Sequence, residues 1–476
     1  MVFSSLFFVY FFLALNLFIY SRTHKITSKN IVMLVFSLIF YSWGGPKYLL
    51  LLIGMTFISW ITALGIYKYR NYKKSILILA CVLLLGLLGI FKYSGFVLSG
   101  IQAITGFPES IPNIVLPIGI SFYTFQLLSY VVDVYRGDVR PQKKFWLLLL
   151  YASLFHQCIA GPIVRYHDVQ EEILHRKVLS KEVGKGIKRF CIGLAKKAIL
   201  ANGCAVIADT FLTSGDLKAL ADVPAMGLWL GVLAFTLQIY LDFSAYSDMA
   251  IGMGLMIGFH YKENFNYPYM ADSVTEFWRR WHISLSTFFR DYVYIPLGGN
   301  RKGKTRTIIN LFIVWFLTGM WHGASWNYIL WGLYFFVFLV IEKNWLLKKF
   351  QCLPHFVSHI YALVIIYFGW ILFKFEDLAG VGITLKGMLG LNGNGFSNMQ
   401  VSLAFKNNIF FLIFVIIAST PLLKTIHTKV VQWFRQRNAI PYIVYAYEII
   451  LPVVLLILST MALVGNSYNP FLYFQF

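Results

Sequence analysis

The sequence predicts an all-α fold, a polytopic transmembrane bundle of helices, and three observations predict it. Hydrophobic residues make up 58% of the 476 positions and charged residues only 13%, against about 45–50% and about 25% in soluble domains. Apolar runs approaching or exceeding 18 residues recur along the chain, the signature of helices that cross a bilayer. The mean hydropathy is +0.68. The charge deficit decides the class, because a water-facing surface needs charges that this chain lacks.

One domain is expected over residues 1–476, since no linker rich in Pro, Ser or Gly divides them. The longest polar stretches, 165–189, 261–272 and 298–306, are too short to bury cores of their own. The net charge of +21 sits mainly in short loops, as the positive-inside rule requires. It therefore reads as topology and membrane-lipid contact, with no nucleic-acid partner. The five cysteines form no CxxC pair, which speaks against a disulfide framework or a zinc site. The chain is apolar from Val2 to Tyr20 without a basic leader, so this stretch is expected to be a retained first span.

Taken in order, the apolar runs place spans near 2–20, 31–46, 48–67, 75–91, 113–134, 145–164, 190–211, 225–257, 307–341, 355–374, 408–424 and 440–464. Basic groups follow the first span (Arg22, Lys25, Lys29), the third (Lys68, Arg70, Lys73, Lys74) and the fifth (Arg136, Arg140, Lys143, Lys144). The loops between them, 44–47 and 95–113, are nearly uncharged. The alternation puts the N-terminus outside and the first, third and fifth loops in the cytoplasm, so a multi-pass protein of the cell membrane is expected.

Two runs break this pattern. If 145–164 crossed fully, the basic segment 165–189 would lie outside, and the run holds His156, Gln157 and the Gly161-Pro162 pair. A re-entrant segment resolves the conflict, and irregular backbone at depth implies a cavity. The run 307–341 would make a helix of roughly 52 Å, far beyond the ~30 Å of hydrocarbon. It must be broken or very strongly tilted, and Gly319 and Gly323, with His322 between them, are the natural places for a break. In the fifth run, Pro117 and Gly119, with Gln126 further along, fit a kink lining the same cavity.

Polar groups inside apolar segments are costly and need a reason. His322 lies between glycines and near Trp321, Ser325 and Trp326, where a neutral imidazole could accept a proton. Its packing role alone remains the alternative. If 275–292 forms one helix, His282, Ser286 and Arg290 share a face at i, i+4 and i+8, while Trp278, Trp281, Leu285 and Phe288 take another. Such an in-plane helix either docks on the membrane or offers Arg279, Arg280 and His282 to an anionic acyl donor. Asp242 and Asp248, flanking Ser244 and Tyr246, are expected to pair with arginine or cap broken helices. The serines lack a GxSxG context, and neither a GxxxxGK[ST] nor a GxGxxG loop is present.

These residues together carry a resemblance. The stretches Pro117-Ile-Gly119, Ala160-Gly161-Pro162-Ile-Val-Arg165, Asp242-Phe-Ser244-Ala-Tyr246-Ser-Asp248, Asn266-Tyr267-Pro268-Tyr269, Glu276-Phe-Trp278-Arg279-Arg280-Trp281-His282, Arg290 through Asn300, and Trp321-His322-Gly323 resemble the membrane-bound O-acyltransferases. The likeness is to the bacterial branch that acetylates alginate and cell-wall polysaccharides, and more distantly to the teichoic-acid D-alanyl transfer protein. It covers about 117–331. It implies broken and re-entrant helices ringed about a central tunnel, with His322 as the catalytic histidine and His282 in the second histidine position. Asp242, Ser244, Tyr246, Asp248, Trp278, Arg279, Arg280, Arg290, Asn300, Trp321 and Ser325 would line the substrate path. The implied donor is an acyl thioester, acetyl foremost, on coenzyme A or a phosphopantetheine carrier protein, with no bound cofactor and no metal. The implied partners are an extracytoplasmic SGNH-type transferase, a cytoplasmic acyl carrier protein and a polysaccharide acceptor. A transporter of an acyl carrier or glycan, or an anchoring subunit, are the rival readings.

Overall fold

The computed structural model describes residues 1–107, 110–111, 114–158, 161–436, 441–465 and 472. Ala160 and the segment Tyr473–Phe476 fall outside them. Among the described residues the chain is helical without strands. Eight helices are long and apolar enough to cross a membrane: Pro46–Lys68, Arg70–Thr105, Ser180–Phe211, Ala225–Ile257, Trp326–Phe350, His355–Lys374, Met399–Ala418 and Ala446–Gly465. This is a polytopic helical membrane protein.

The chain resolves into two compact units that share its length in alternation. The first comprises Met1–Phe190, Tyr246–Glu263 and Arg290–Val293; the second holds Cys191–Ala245, Asn264–Phe289 and Tyr294–Phe476.

The first unit starts with short helices. A π-helical turn, Phe8–Leu13, runs into α1 (Ala14–Arg22), followed by α2 (Ile26–Ser42), α3 (Pro46–Lys68), α4 (Lys73–Thr105) and α5 (Ile120–Arg136). The runs expected at 2–20, 31–46 and 113–134 thus fold as helices of 15 to 17 residues, short of the ~20 that a perpendicular crossing needs. Gly119 is where α5 starts rather than a kink within it; its φ of 75° suits a residue without Cβ. Gln126 of α5 is fully buried, and neither amide atom has a hydrogen-bond partner.

The expected interruption at 145–164 is present. The run gives only α6 (Phe145–Ser153), then the single turn α7 (Phe155–Cys158), before α8 (Tyr166–His175). Nine residues rise about 14 Å, so α6 cannot cross the membrane as a helix. The irregular stretch is buried in protein: Tyr151 donates to the Val164 carbonyl at 2.8 Å and Tyr261 meets His156 Nδ1 at 2.8 Å. Next comes α9 (Ser180–Ala195), which a π-helical turn at Lys196–Ala201 joins to α10 (Asn202–Phe211); α11 (Leu217–Ala221) and α12 (Ala225–Ile257) follow.

The second unit packs one aromatic and aliphatic core. Its later helices are α13 (Val274–Arg280), α14 (Ile283–Phe289), α15 (Gly303–His322), α16 (Trp326–Ile341), α17 (Leu347–Phe350), α18 (His355–Lys374), α19 (Leu378–Met388), α20 (Met399–Ala418), α21 (Leu422–Gln436) and α22 (Pro441–Gly465). The run 307–341 breaks, at Gly323 and not at Gly319. Residues 303–322 and 326–341 pack side by side as a hairpin. Gly319 lies at the crossing, where a Cβ would strike the Tyr328 carbonyl, and a Cβ on Gly332 would strike the Trp315 carbonyl. Small residues let the two backbones touch. The run expected at 408–424 begins earlier, at Met399, and ends at Ala418 just before Pro421, which cannot continue a helix.

Candidate active site

The site is built from α13 upward. Its first amide groups are satisfied in sequence: Val274 and Thr275 donate to the Glu342 carboxylate at 2.6 and 2.8 Å, and Glu276 donates to Ser273 Oγ at 3.0 Å. Glu276 in turn accepts from the Asp272 amide at 3.0 Å, close to the reciprocal capping that Ser-x-x-Glu favours. Glu342 is wholly buried and lies just past α16, so it ties the two helices together.

The single helix expected over 275–292 does not form. α13 ends at Arg280, Trp281 is extended, and His282 takes φ 44°. The cause lies in a different segment. Asn264 accepts the Ile283 amide on its carbonyl at 2.9 Å and the Ser284 amide on its side chain at 3.0 Å. Asn266 donates to the Arg280 carbonyl at 2.9 Å. This strip takes over the amides that a continuous helix would have used internally, and α14 restarts beyond it.

The break turns His282 away from the surface that an unbroken helix would have given it. Its ring is 1% exposed and packs 6.1 Å from Phe265 and 5.9 Å from Trp321, and neither ring nitrogen has a partner among the described residues. Burial lowers its pKa to about 4, so the imidazole is neutral near pH 7.

His322 is the last residue of α15, and Gly323 beyond it presses on the Tyr328 ring so closely that no Cβ would fit. Its ring is 4% exposed, with Trp321, Trp331 and Phe373 edge-on at 4.9, 4.9 and 5.1 Å. Trp321 therefore stands against both histidines, which can be no farther apart than those two ring separations combined. Trp278 packs 5.4 Å from Trp331 and 4.8 Å from Trp315. Ser325, at the start of α16, leaves its hydroxyl buried without a partner and caps nothing. Trp326 is exposed, so Trp321 alone of that pair walls the site.

Thus His282, His322, Trp278, Trp321 and Ser325 belong to one neighbourhood of the second unit. Others are engaged elsewhere within it. Asp242 pairs with a lysine and not an arginine, Lys197 at 2.7 Å, with both side chains sealed from solvent. Its second oxygen accepts the Leu472 amide at 3.2 Å. Ser244 bonds its own helix at the Leu241 carbonyl. Arg280 is held by Glu276 at 2.6 Å while Arg279 is exposed. Asn300 is exposed and accepts from Lys343 at 2.6 Å. Tyr246, Asp248 and Arg290 fall in the first unit. There Tyr246 meets Ser4 at 3.3 Å, Asp248 pairs with Arg189 at 2.9 Å, and exposed Arg290 pairs with Asp291 at 2.7 Å.

Reading the sequence missed Trp331, Phe373, Glu342 and Asn264. Trp331 and Phe373 look like ordinary members of apolar runs until a hairpin and a neighbouring helix fold them onto His322. Glu342 did carry a signal, a carboxylate at the end of an apolar run.

Comparison with known proteins identifies the family. Residues 144–375 match the family model described as the membrane-bound O-acyltransferase family. The chain is 36% identical over its whole length, and the whole of the relative's, to the probable alginate O-acetylase AlgI of Pseudomonas putida. It is 40% identical to the Pseudomonas aeruginosa protein of that name, over 79% of this chain and 73% of the other. The peptidoglycan O-acetyltransferase of Helicobacter pylori is 34% identical over 75% of this chain and 73% of its own. The chain belongs to the membrane-bound O-acyltransferase family and is an O-acyltransferase.

Proposed function

We propose that this protein transfers an acetyl group from a cytoplasmic thioester to hydroxyl groups of an extracytoplasmic polysaccharide, with His322 as general base. One observation carries the reading: a buried imidazole at the end of an interrupted helix shares a tryptophan wall with a second, neutral imidazole whose nitrogens are both unengaged. A packing histidine buried in apolar surroundings would satisfy its nitrogens, since leaving them bare is costly. The polysaccharide acceptor follows the names of the relatives, two alginate O-acetylases and a peptidoglycan O-acetyltransferase.

In the step, the acceptor oxygen attacks the thioester carbonyl carbon and the C–S bond breaks. His322 takes the hydroxyl proton and returns it to the departing sulfur, leaving an ester and a free thiol. The donor is coenzyme A or a phosphopantetheine carrier protein, entering on the side of the basic loops. His282, two residues beyond Arg280, would meet the donor at its entry. An SGNH-type transferase outside the membrane, the partner suggested by the family resemblance, would place the acyl group on the final polymer hydroxyl.

The test uses purified protein with radiolabelled acetyl thioester, following free thiol and labelled glycan. His322→Ala is expected to abolish both at unchanged protein level. Persisting thiol release would remove His322 from the reaction. Movement of glycan or carrier with no thiol released by the wild type would favour a transporter instead.

A further inference from the structure

We propose that the indole N–H groups of Trp331 and Trp278 are the donors that hold the thioester carbonyl oxygen as negative charge builds on it. This rests on the acyl-transfer reading above. Trp331 is fully buried, with its ring 4.9 Å from that of His322 at an interplanar angle of 80°. Trp278 stands 5.4 Å from Trp331 at 86°. Both Nε1 atoms are buried, and neither has an acceptor among the described residues.

That last fact is what packing fails to explain. A buried N–H without an acceptor costs the desolvation of the donor, and indole normally finds a partner when buried. Phenylalanine fills such space at no polar cost, and Phe335 and Phe373 do so against the same rings. Tryptophan at 278 and 331 keeps two donors bare, one on the ring against the base and one on the ring packed behind it. An attacking hydroxyl turns the carbonyl oxygen into an oxyanion, and donors already in place cost no reorganisation at that moment. The two indoles come from different helices, α13 and α16, and Glu342 locks these together by accepting the Val274 and Thr275 amides. The donors are therefore positioned before substrate arrives. Electron flow is unchanged: the C=O π pair moves onto oxygen during attack and returns as the C–S bond breaks.

The experiment compares wild type, Trp331→Phe and Trp278→Phe in detergent or reconstituted vesicles. Initial rates are measured against acetyl thioester concentration, and thermal unfolding is followed in parallel. Each variant is expected to lower kcat by about 10²–10³, with KM within about twofold and thermal stability unchanged or higher, because an unsatisfied donor has been removed. A packing role predicts the reverse, with stability lost and kcat preserved. Retention of kcat within about threefold in both variants overturns the proposal. If Trp331→Phe does not fold, benzothienylalanine at 331 replaces the N–H by sulfur in nearly the same shape. Loss of kcat there supports the proposal and retention overturns it. A wild type that releases no thiol from any acyl thioester would sink the acyl-transfer reading itself, and this proposal with it.

Discussion

His282 pairs two unfavourable features in one residue, a left-handed backbone at φ 44° and a buried ring with both nitrogens bare. Non-glycine residues in this conformation cost on the order of 1–3 kcal/mol and cluster at functional sites. Burial adds a pH dependence whose sign is fixed. The folded ring resists protonation down to about 4, whereas the unfolded ring titrates near 6.5. Between those values the unfolded chain binds a proton that the native state does not. Stability should therefore be flat above pH 6.5 and fall as pH drops toward 4, by on the order of 3 kcal/mol at full extent. His156, whose pKa burial lowers to about 3, adds to the same slope. His282→Asn, whose amide does not titrate, is therefore expected to lose His282's share of it in thermal unfolding measured across the same pH range. An unaltered slope in the variant would assign the titration to another group. Catalysis near pH 7 is expected to lose part of its rate in the same variant, since the ring that shares the Trp321 wall with His322 is gone.

The interruptions that build the site arise at the scale of whole elements, and they were not equally visible in the sequence. The break at Gly323 was legible because a 35-residue helix outruns ~30 Å of hydrocarbon unless strongly tilted and glycines flank His322 at its middle. Length alone does not decide it, since α4 and α12 run 33 residues unbroken. The interruption after α6 was legible because Arg165, Lys181 and Arg189 would lie on the wrong side of the membrane if the run 145–164 crossed it fully. The break at Trp281–His282 was not. Helical periodicity runs smoothly through 275–292, and what stops the helix is Asn264, a tertiary partner from an earlier loop. Trp331 was hidden for a similar reason, since only the hairpin of α15 and α16 returns it to His322. The second of these helices, α16, meets α13 at Glu342, so the coupling can be tested there. Glu342→Ala strands the buried amides of Val274 and Thr275 and is expected to cost about 2–4 kcal/mol of stability, with loss of transfer. Glu342→Gln keeps one acceptor oxygen and should lose clearly less on both measures. Equal losses in the two variants would mean that the carboxylate matters for its charge and not as a cap.

At the scale of the molecule, the proposed reaction needs the donor and the acceptor on opposite faces, so orientation is part of the mechanism. Charge predicts it: Lys68, Arg70, Lys73 and Lys74 gather where α3 gives way to α4, and Lys343, Lys348 and Lys349 close the segment Trp326–Phe350. Short basic connections are expected on the cytoplasmic side, which predicts that the turn after Phe350 lies there too. The chain carries its own probe for this. Cys352 in that turn is exposed, whereas Cys158, Cys191 and Cys204 are buried and Cys81 is half-buried within the apolar helix α4. Aqueous reagent should therefore reach one thiol of the five. A membrane-impermeant maleimide is expected to leave intact spheroplasts unlabelled and to label inverted vesicles, with Cys352→Ser abolishing the signal. Labelling of Cys352 from outside would reverse the topology. The exposed Arg279, the basic loops and the proposed thioester entry would then face away from the compartment in which acyl thioesters are made.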